Sequence, residues 1–289
     1  MDINKLDRMK GSFFGLAIGD ALGVPLEFHK RDELPKVTEM IGQGPFNLKP
    51  GDWTDDTSMA LCITDSLIEM GRFDEEDIMR NFVQWRQTGF MSHNSKCFDI
   101  GTTTQEALNN YIADGNPYAG RTEDWSSGNG SIMRLAPIPI FYNRNINECI
   151  KYGELQGNIT HRSVECVNGC KQLSHLLGSL YGGAALHTLI DINQVVNKPR
   201  EQVSSSGYVV HTLDAAYWSV ANHPGFEQAL IAAVNLGDDS DTVGAVTGQI
   251  AGAMYGYSNI PERWLEKLVW HTKLEIMFNR LIEASEERA

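Results

Sequence analysis

Two short segments gather more oxygen donors than local structure requires. Gly51-Asp52-Trp53-Thr54-Asp55-Asp56-Thr57 precedes the apolar run Met59, Ala60, Cys62, Ile63, Leu67 and Ile68, and Leu236-Gly237-Asp238-Asp239-Ser240-Asp241-Thr242 lies far along the chain. In each, one Thr or Asp can cap the helix that follows, and carboxylates suit the positive end of a helix. Capping accounts for one such residue and leaves the others without a role. Two carboxylates about 4 Å apart repel by roughly 4 kcal/mol at an effective dielectric of 20. Either the two clusters are solvated on separate surfaces, or they meet around cations. Oxygen donors with no His or Cys beside them select hard ions such as Mg²⁺, Mn²⁺ or Ca²⁺ over Zn²⁺.

The elements that must position these donors read as helices. Apolar residues recur at helical spacing over 6–21, 56–70, 74–87, 103–112, 146–155, 163–180, 213–220, 226–236, 242–255 and 262–282, and alternating strand-like runs are scarce. The expectation is an all-α fold in a single compact multi-helix domain spanning 1–289. The Gly-, Pro-, Asn- and Ser-rich connections at 41–52, 115–130 and 198–207 are too short to act as domain linkers. Gly11, Gly15, Gly19 and Gly23 fall at steps of four, as do Gly244, Gly248, Gly252 and Gly256. Each series makes a ridge without side chains, along which another helix can approach closely. A Gly inside a helix costs about 0.5–1 kcal/mol relative to Ala, so the repetition points to close packing that offsets it.

Composition narrows the class. The 289 residues carry 24 Lys+Arg against 37 Asp+Glu, a formal charge of −13, which argues against a binder of duplex nucleic acid or anionic membrane through a general basic face. Hydrophobic residues make up 42% and charged residues 21%, enough to build a large core. Five irregularly spaced cysteines do not form a disulfide framework, and no segment has the roughly 20 apolar residues of a membrane span. Together with a polar N-terminus lacking a signal-peptide core, these features predict a cytoplasmic protein. Cys166 and Cys170 read as core thiols, Trp85, Trp218, Trp264 and Trp270 as packing residues, and His93, His175, His187, His211 and His223 carry no chemical context.

Four ordered motifs give the chain a family resemblance. Gly19-Asp20-Ala21-Leu22-Gly23-Val24-Pro25-Leu26-Glu27, Trp53-Thr54-Asp55-Asp56-Thr57, Gly128-Asn129-Gly130-Ser131-Ile132-Met133-Arg134 and Gly237-Asp238-Asp239-Ser240-Asp241-Thr242-Val243-Gly244 resemble the signatures of the ADP-ribosylglycohydrolases, typified by the dinitrogenase reductase-activating glycohydrolase. The resemblance implies a binuclear Mg²⁺ or Mn²⁺ centre at the base of a cleft. Position by position, it implies Thr54, Asp55, Asp56, Asp239, Asp241 and Thr242 as metal ligands, with Asp56 and Asp239 relaying protons and Glu27 closing the cleft or relaying a proton. Asp238 stands where many relatives carry Gly, and is left outside the ligand set.

The remaining matches concern substrate. Gly128, Asn129, Gly130 and Ser131 are similar to a loop that faces a pyrophosphate, where glycines let backbone N–H groups approach. His161 matches a family histidine at the ribose and phosphate edge, against the plain alternative of a polar cap. Asp99 resembles the aspartate that faces the guanidinium of a target arginine, a pairing suited to a planar, permanently charged fork, although it could cap the helix near Thr102 instead. The implied reaction is attack of water at C1″ of an ADP-ribosylated side chain, arginine before serine, releasing ADP-ribose. Alternatives are O-acetyl-ADP-ribose hydrolysis, ADP-ribose binding without catalysis, and phosphoester or pyrophosphate hydrolysis.

Overall fold

The glycine ridges interlock. In the computed structural model, which describes residues 3–288, helix α1 (Ile3–Gly23) runs antiparallel to a helix near the other end of the chain, Ser240–Tyr255. A Cβ placed on Gly15 would overlap the carbonyl oxygen of Gly248, and one on Gly19 that of Gly244. The reciprocal holds from the other side, so the two backbones touch with nothing between them. This antiparallel pairing brings the C-terminus of α1 beside the N-terminus of its partner, where the Ser240 hydroxyl donates to the Gly23 carbonyl at 2.8 Å.

The other helices pack around this pair. In chain order they are α2 (Asp55–Met70), α3 (Glu75–Thr88), α4 (Thr102–Asp114), α5 (Pro137–Phe141), α6 (Ile146–Asn158), α7 (Val164–Tyr181), α8 (Ile192–Val196), α9 (Val209–Asn222), α10 (Phe226–Val234), α11 (Ser240–Tyr255), α12 (Glu262–Lys267) and α13 (His271–Glu287). One large hydrophobic core, with Trp53, Trp85, Phe82 and Trp264 fully buried, joins nearly all of them, and a small satellite forms around Trp218 and Val243. The described residues contain isolated β-bridges but no sheet. No helix among them is long and apolar enough to cross a membrane.

The structure departs from the periodicity in three places. The run expected as one helix over 262–282 breaks between α12 and α13, with Trp270 in left-handed backbone (φ 63°). There the chain lies against the first acidic segment: the Val269 N–H donates to the Gly51 carbonyl at 3.0 Å, and the Trp53 indole to the Val269 carbonyl at 3.3 Å. Helix α5 escapes periodicity because Pro137 and Pro139 read as breakers, yet proline is tolerated in a first turn, where N–H groups have no partner in the helix. Helix α8 is a single turn with no buried residue, and so has no apolar pattern.

Candidate active site

The first acidic segment is organised by a residue outside it. Thr54 holds the N-cap position of α2 in extended backbone, but its side chain does not cap. Asp20, fully buried on α1, takes that role. Its carboxylate accepts the N–H groups of Thr54 at 2.9 Å and Thr57 at 3.1 Å, and the hydroxyls of Thr54 at 3.0 Å and Thr57 at 2.6 Å. The Thr54 hydroxyl is thereby free to lie 3.4 Å from Asp56 and 3.3 Å from Asp241. Sequence reasoning gave Asp20 no role. Its signal was a carboxylate within the apolar, glycine-ridged C-terminal half of α1.

The second segment turns through Gly237 and Asp238, both left-handed (φ 74° and 62°), before α11 begins. That backbone explains why glycine suits position 238, and the exposed Asp238 side chain stays out of the site. Its backbone clips the chain after α1 in place: the Phe28 N–H donates to the Asp238 carbonyl and the Asp238 N–H to the His29 carbonyl, each at 2.7 Å. Glu27 is therefore held against the start of α11. On the far side, the Asn129 amide donates to Asp239 at 2.6 Å and to the Thr212 hydroxyl at 2.9 Å. Thr242 closes the junction, its hydroxyl 3.4 Å from Asp56.

The two remote clusters are not on separate surfaces: they meet, and the pairing of α1 with α11 is what joins them. A cleft of about 340 Å³ opens above the junction, lined by Glu27, Asp55, Asp99, Asp239, Asp241 and Thr242 on its acidic side. Thr54 and Asp56 are buried behind this lining. Ligand oxygens of Glu27, Asp99 and Asp241 all lie within 4.8 Å of one another, so Asp99 stands nearer the acidic centre than a pure side-chain-recognition role requires. Nor does Asp99 cap α4: Gly101 occupies that N-cap, while Asp99 itself is left-handed (φ 61°).

The electrostatics of this cluster suit a cation. Burial, and then the neighbouring carboxylates, push Glu27 up to about 10 and Asp99 up to about 12. Burial raises Asp20 and Asp241 to about 6, and lifts Asp55, Asp56 and Asp239 well above the usual carboxylate range. Buried carboxylate oxygens on Glu27 and Asp56 have no hydrogen-bond partner. Hard oxygen donors with orphaned acceptors and mutual repulsion fit a divalent cation, which would supply the missing counter-charge. The acidic cluster could hold a metal ion.

The opposite rim comes from four segments. Gly128, Asn129, Gly130, His161 and Gly207 line it, together with Thr102, Thr103 and Thr104 at the start of α4. A Cβ on Gly130 would stand 2.8 Å from His161 Cε1, so glycine there lets the imidazole reach the cleft. Ser131 departs from the sequence expectation. It is fully buried and absent from the lining, with its hydroxyl turned toward Cys166 and Cys170. Arg134 is also fully buried and holds the core rather than the cleft. Gly207 and Phe28 line the cleft without having been singled out; Gly207 reads as an ordinary loop glycine, and Phe28 as one apolar residue in a turn. Larger hollows of about 590 and 930 Å³ lie along the segment after Glu27 but contain no comparable convergence of carboxylates.

Comparison with known proteins agrees with this geometry. The sequence model of the ADP-ribosylglycohydrolase family matches residues 1–289. The chain is 43% identical over 296 residues to the ADP-ribosylarginine hydrolase Tri1 of Serratia proteamaculans (strain 568), covering 98% of this chain and 81% of that protein. It is 33% identical over 283 residues to the ADP-ribosyl-[dinitrogen reductase] glycohydrolase of Rhodospirillum rubrum, covering 93% of each. A solved structure described as an ADP-ribosylglycohydrolase-related protein complex superposes with a TM-score of 0.86 at 37% identity, over 98% of this chain and 99% of that one. With its acidic junction, glycine-paired helices and full-length match, the chain belongs to the ADP-ribosylglycohydrolase family.

Proposed function

We infer that this protein is an ADP-ribosylarginine hydrolase, which removes ADP-ribose from modified arginine side chains of proteins. The observation that carries the reading is the meeting of two remote oxygen-rich helix starts beneath a cleft whose other rim is glycine-rich. Two relatives more than 40% identical over nearly the whole chain are named for this activity. Thr54, Asp55, Asp56, Asp239, Asp241 and Thr242 would hold two divalent cations, Mg²⁺ or Mn²⁺. When bound, such ions offset the acidic charge, orient ribose hydroxyls and make water a stronger nucleophile near neutral pH.

The chain's own residues divide the remaining work. Gly128 and Gly130 let the backbone approach the pyrophosphate, and Asn129 braces Asp239 from the same loop. Asp99 faces the guanidinium, whose permanent charge favours the ionised carboxylate that burial otherwise opposes. Water adds to C1″ as the C1″–N bond to arginine breaks. Asp56 or Asp239 takes the proton from that water, and the departing guanidine nitrogen receives one. Glu27 covers the cleft at the acidic end and can pass a proton there. Five free cysteines suit a reducing compartment, consistent with action in the cytoplasm.

Incubation with peptides carrying ADP-ribose on arginine or on serine, in Mg²⁺, tests the reading. The expected product is intact ADP-ribose from the arginine peptide. Release from serine alone would reassign the linkage, and AMP formed from free ADP-ribose would make the protein a pyrophosphate hydrolase instead.

A further inference from the structure

The fully buried Arg134 has no carboxylate partner among the described residues. Its Nε donates to the Gln156 side-chain oxygen at 3.2 Å, and Nη2 donates to the Gln156 carbonyl at 3.2 Å and to the Thr160 hydroxyl at 2.7 Å. The guanidinium lies 4.6 Å from the centre of the Phe82 ring. Gln156 in turn donates to the Ser131 carbonyl at 2.7 Å, tying this network to the glycine-rich loop. A buried charge satisfied only by neutral acceptors is expensive to keep, and what it orients is the Thr160 hydroxyl.

That hydroxyl lies 2.8 Å from His161 Nδ1, and both residues are buried. Arginine can only donate, so the Thr160 oxygen is already an acceptor. Its single proton then needs an acceptor of its own, and His161 Nδ1 is the one within reach. Were Nδ1 protonated instead, the oxygen would accept twice and leave its own proton stranded in the core. We propose that Arg134 and Thr160 are positioning residues that lock His161 as the neutral tautomer protonated at Nε2, presenting an N–H donor between Gly128 and Gly130 to the phosphate or ribose oxygens of the substrate. Distances agree: a Cβ on Gly128 would lie 3.4 Å, and one on Gly130 3.2 Å, from Nε2. Burial, reinforced by the Arg134 charge, pushes the imidazole down to about 3, so the ring stays neutral across the working range. The proposal rests on the hydrolase reading for its ligand, but not for the tautomer.

Long-range ¹H–¹⁵N correlation on the full chain labelled with ¹⁵N-histidine reads the tautomer directly, with His161 assigned by the loss of its signals in His161→Gln. The expected result is protonated Nε2 and unprotonated Nδ1 from pH 8 to pH 5. Thr160→Ser should preserve the pattern. Thr160→Val should mix the tautomers and weaken ADP-ribose binding about tenfold, the scale of one hydrogen bond lost. A charged ring at neutral pH, or protonated Nδ1, in the natural protein would overturn the proposal. So would a Thr160→Val protein with unchanged tautomer and ADP-ribose affinity. If Thr160→Val fails to fold, the spectra of the natural protein and of Thr160→Ser still decide. Absence of hydrolysis on arginine-linked peptides would count against the activity, and leave the tautomer result standing.

Discussion

Asp20 caps a helix to which it does not belong: one of its carboxylate oxygens accepts both the N–H of Thr57, at 3.1 Å, and its hydroxyl, at 2.6 Å. Through this pair, the glycine-ridged α1 sets the position of the first acidic segment. Removing the carboxylate strands buried donors, each costing about 1–3 kcal/mol. Asp20→Ala should therefore destabilise the fold by about 2–4 kcal/mol in urea denaturation, and weaken Mn²⁺ binding measured by calorimetry. Asp20→Asn keeps an acceptor oxygen and should lose less. Unchanged stability in Asp20→Ala would remove Asp20 from the account.

Helix pairing should be equally sensitive. A methyl group on Gly19 would overlap the Gly244 carbonyl, which cannot rotate away as a side chain could. Gly19→Ala should cost about 1–3 kcal/mol or more, the range of overpacked cores, despite the better helix propensity of alanine. Chemical denaturation checks the sign. A stabilised Gly19→Ala protein would mean that α1 and α11 are not in backbone contact.

The carboxylate cluster predicts how stability follows pH when cations are removed. Burial raises Asp20 and Asp241 to about 6, above the ordinary value of 3.8. The folded state then holds protons that the unfolded chain releases, so stability falls as pH rises from about 4 through about 6, and Glu27 extends the loss toward about 10. His161 acts in the opposite sense: its depressed value makes folding less favourable as pH falls below 6.5. In EDTA, the melting temperature should drop between pH 6 and pH 8. Mg²⁺ or Mn²⁺ should raise it most at the upper end, where fewer protons compete. A cation-free melting temperature that climbs over that interval would contradict the cluster's electrostatics.

Asp99 can be tested by separating two affinities. As the guanidinium contact it makes a charge-assisted bond worth about 1.5–3 kcal/mol, so Asp99→Asn should raise KM for arginine-linked peptide about tenfold or more. Affinity for free ADP-ribose should change less than about twofold. Its closeness to Glu27 and Asp241 gives the opposite outcome a clear meaning. If affinities for Mn²⁺ and ADP-ribose fall together, Asp99 belongs to the cation cluster.

Much of this arrangement was legible in the sequence because it is written in local patterns. The glycine steps in 11–23 and 244–256 announced helices built for close packing, though not that they pack on each other, and the two oxygen-rich helix starts were visible as segments with too many donors to be caps. What pattern could not supply was convergence. Asp20 looks like one acid on a helix until the fold sets it beneath Thr54 and Thr57. Ser131 looked like a phosphate contact because it adjoins Gly130, yet a 3₁₀ turn carries its side chain toward Cys166 and Cys170, away from the cleft. The break at Trp270 follows from a tertiary bond between Val269 and Gly51, and such pairings leave no trace in hydrophobic spacing.

Release of ADP-ribose from an arginine-linked peptide, followed with and without chelator, bears most directly on the central claim. The account predicts that EDTA abolishes turnover, that Mg²⁺ or Mn²⁺ restores it, and that Asp55→Asn combined with Asp239→Asn cannot be restored although the protein stays folded. Full turnover in EDTA, or in the doubly substituted protein, would contradict it.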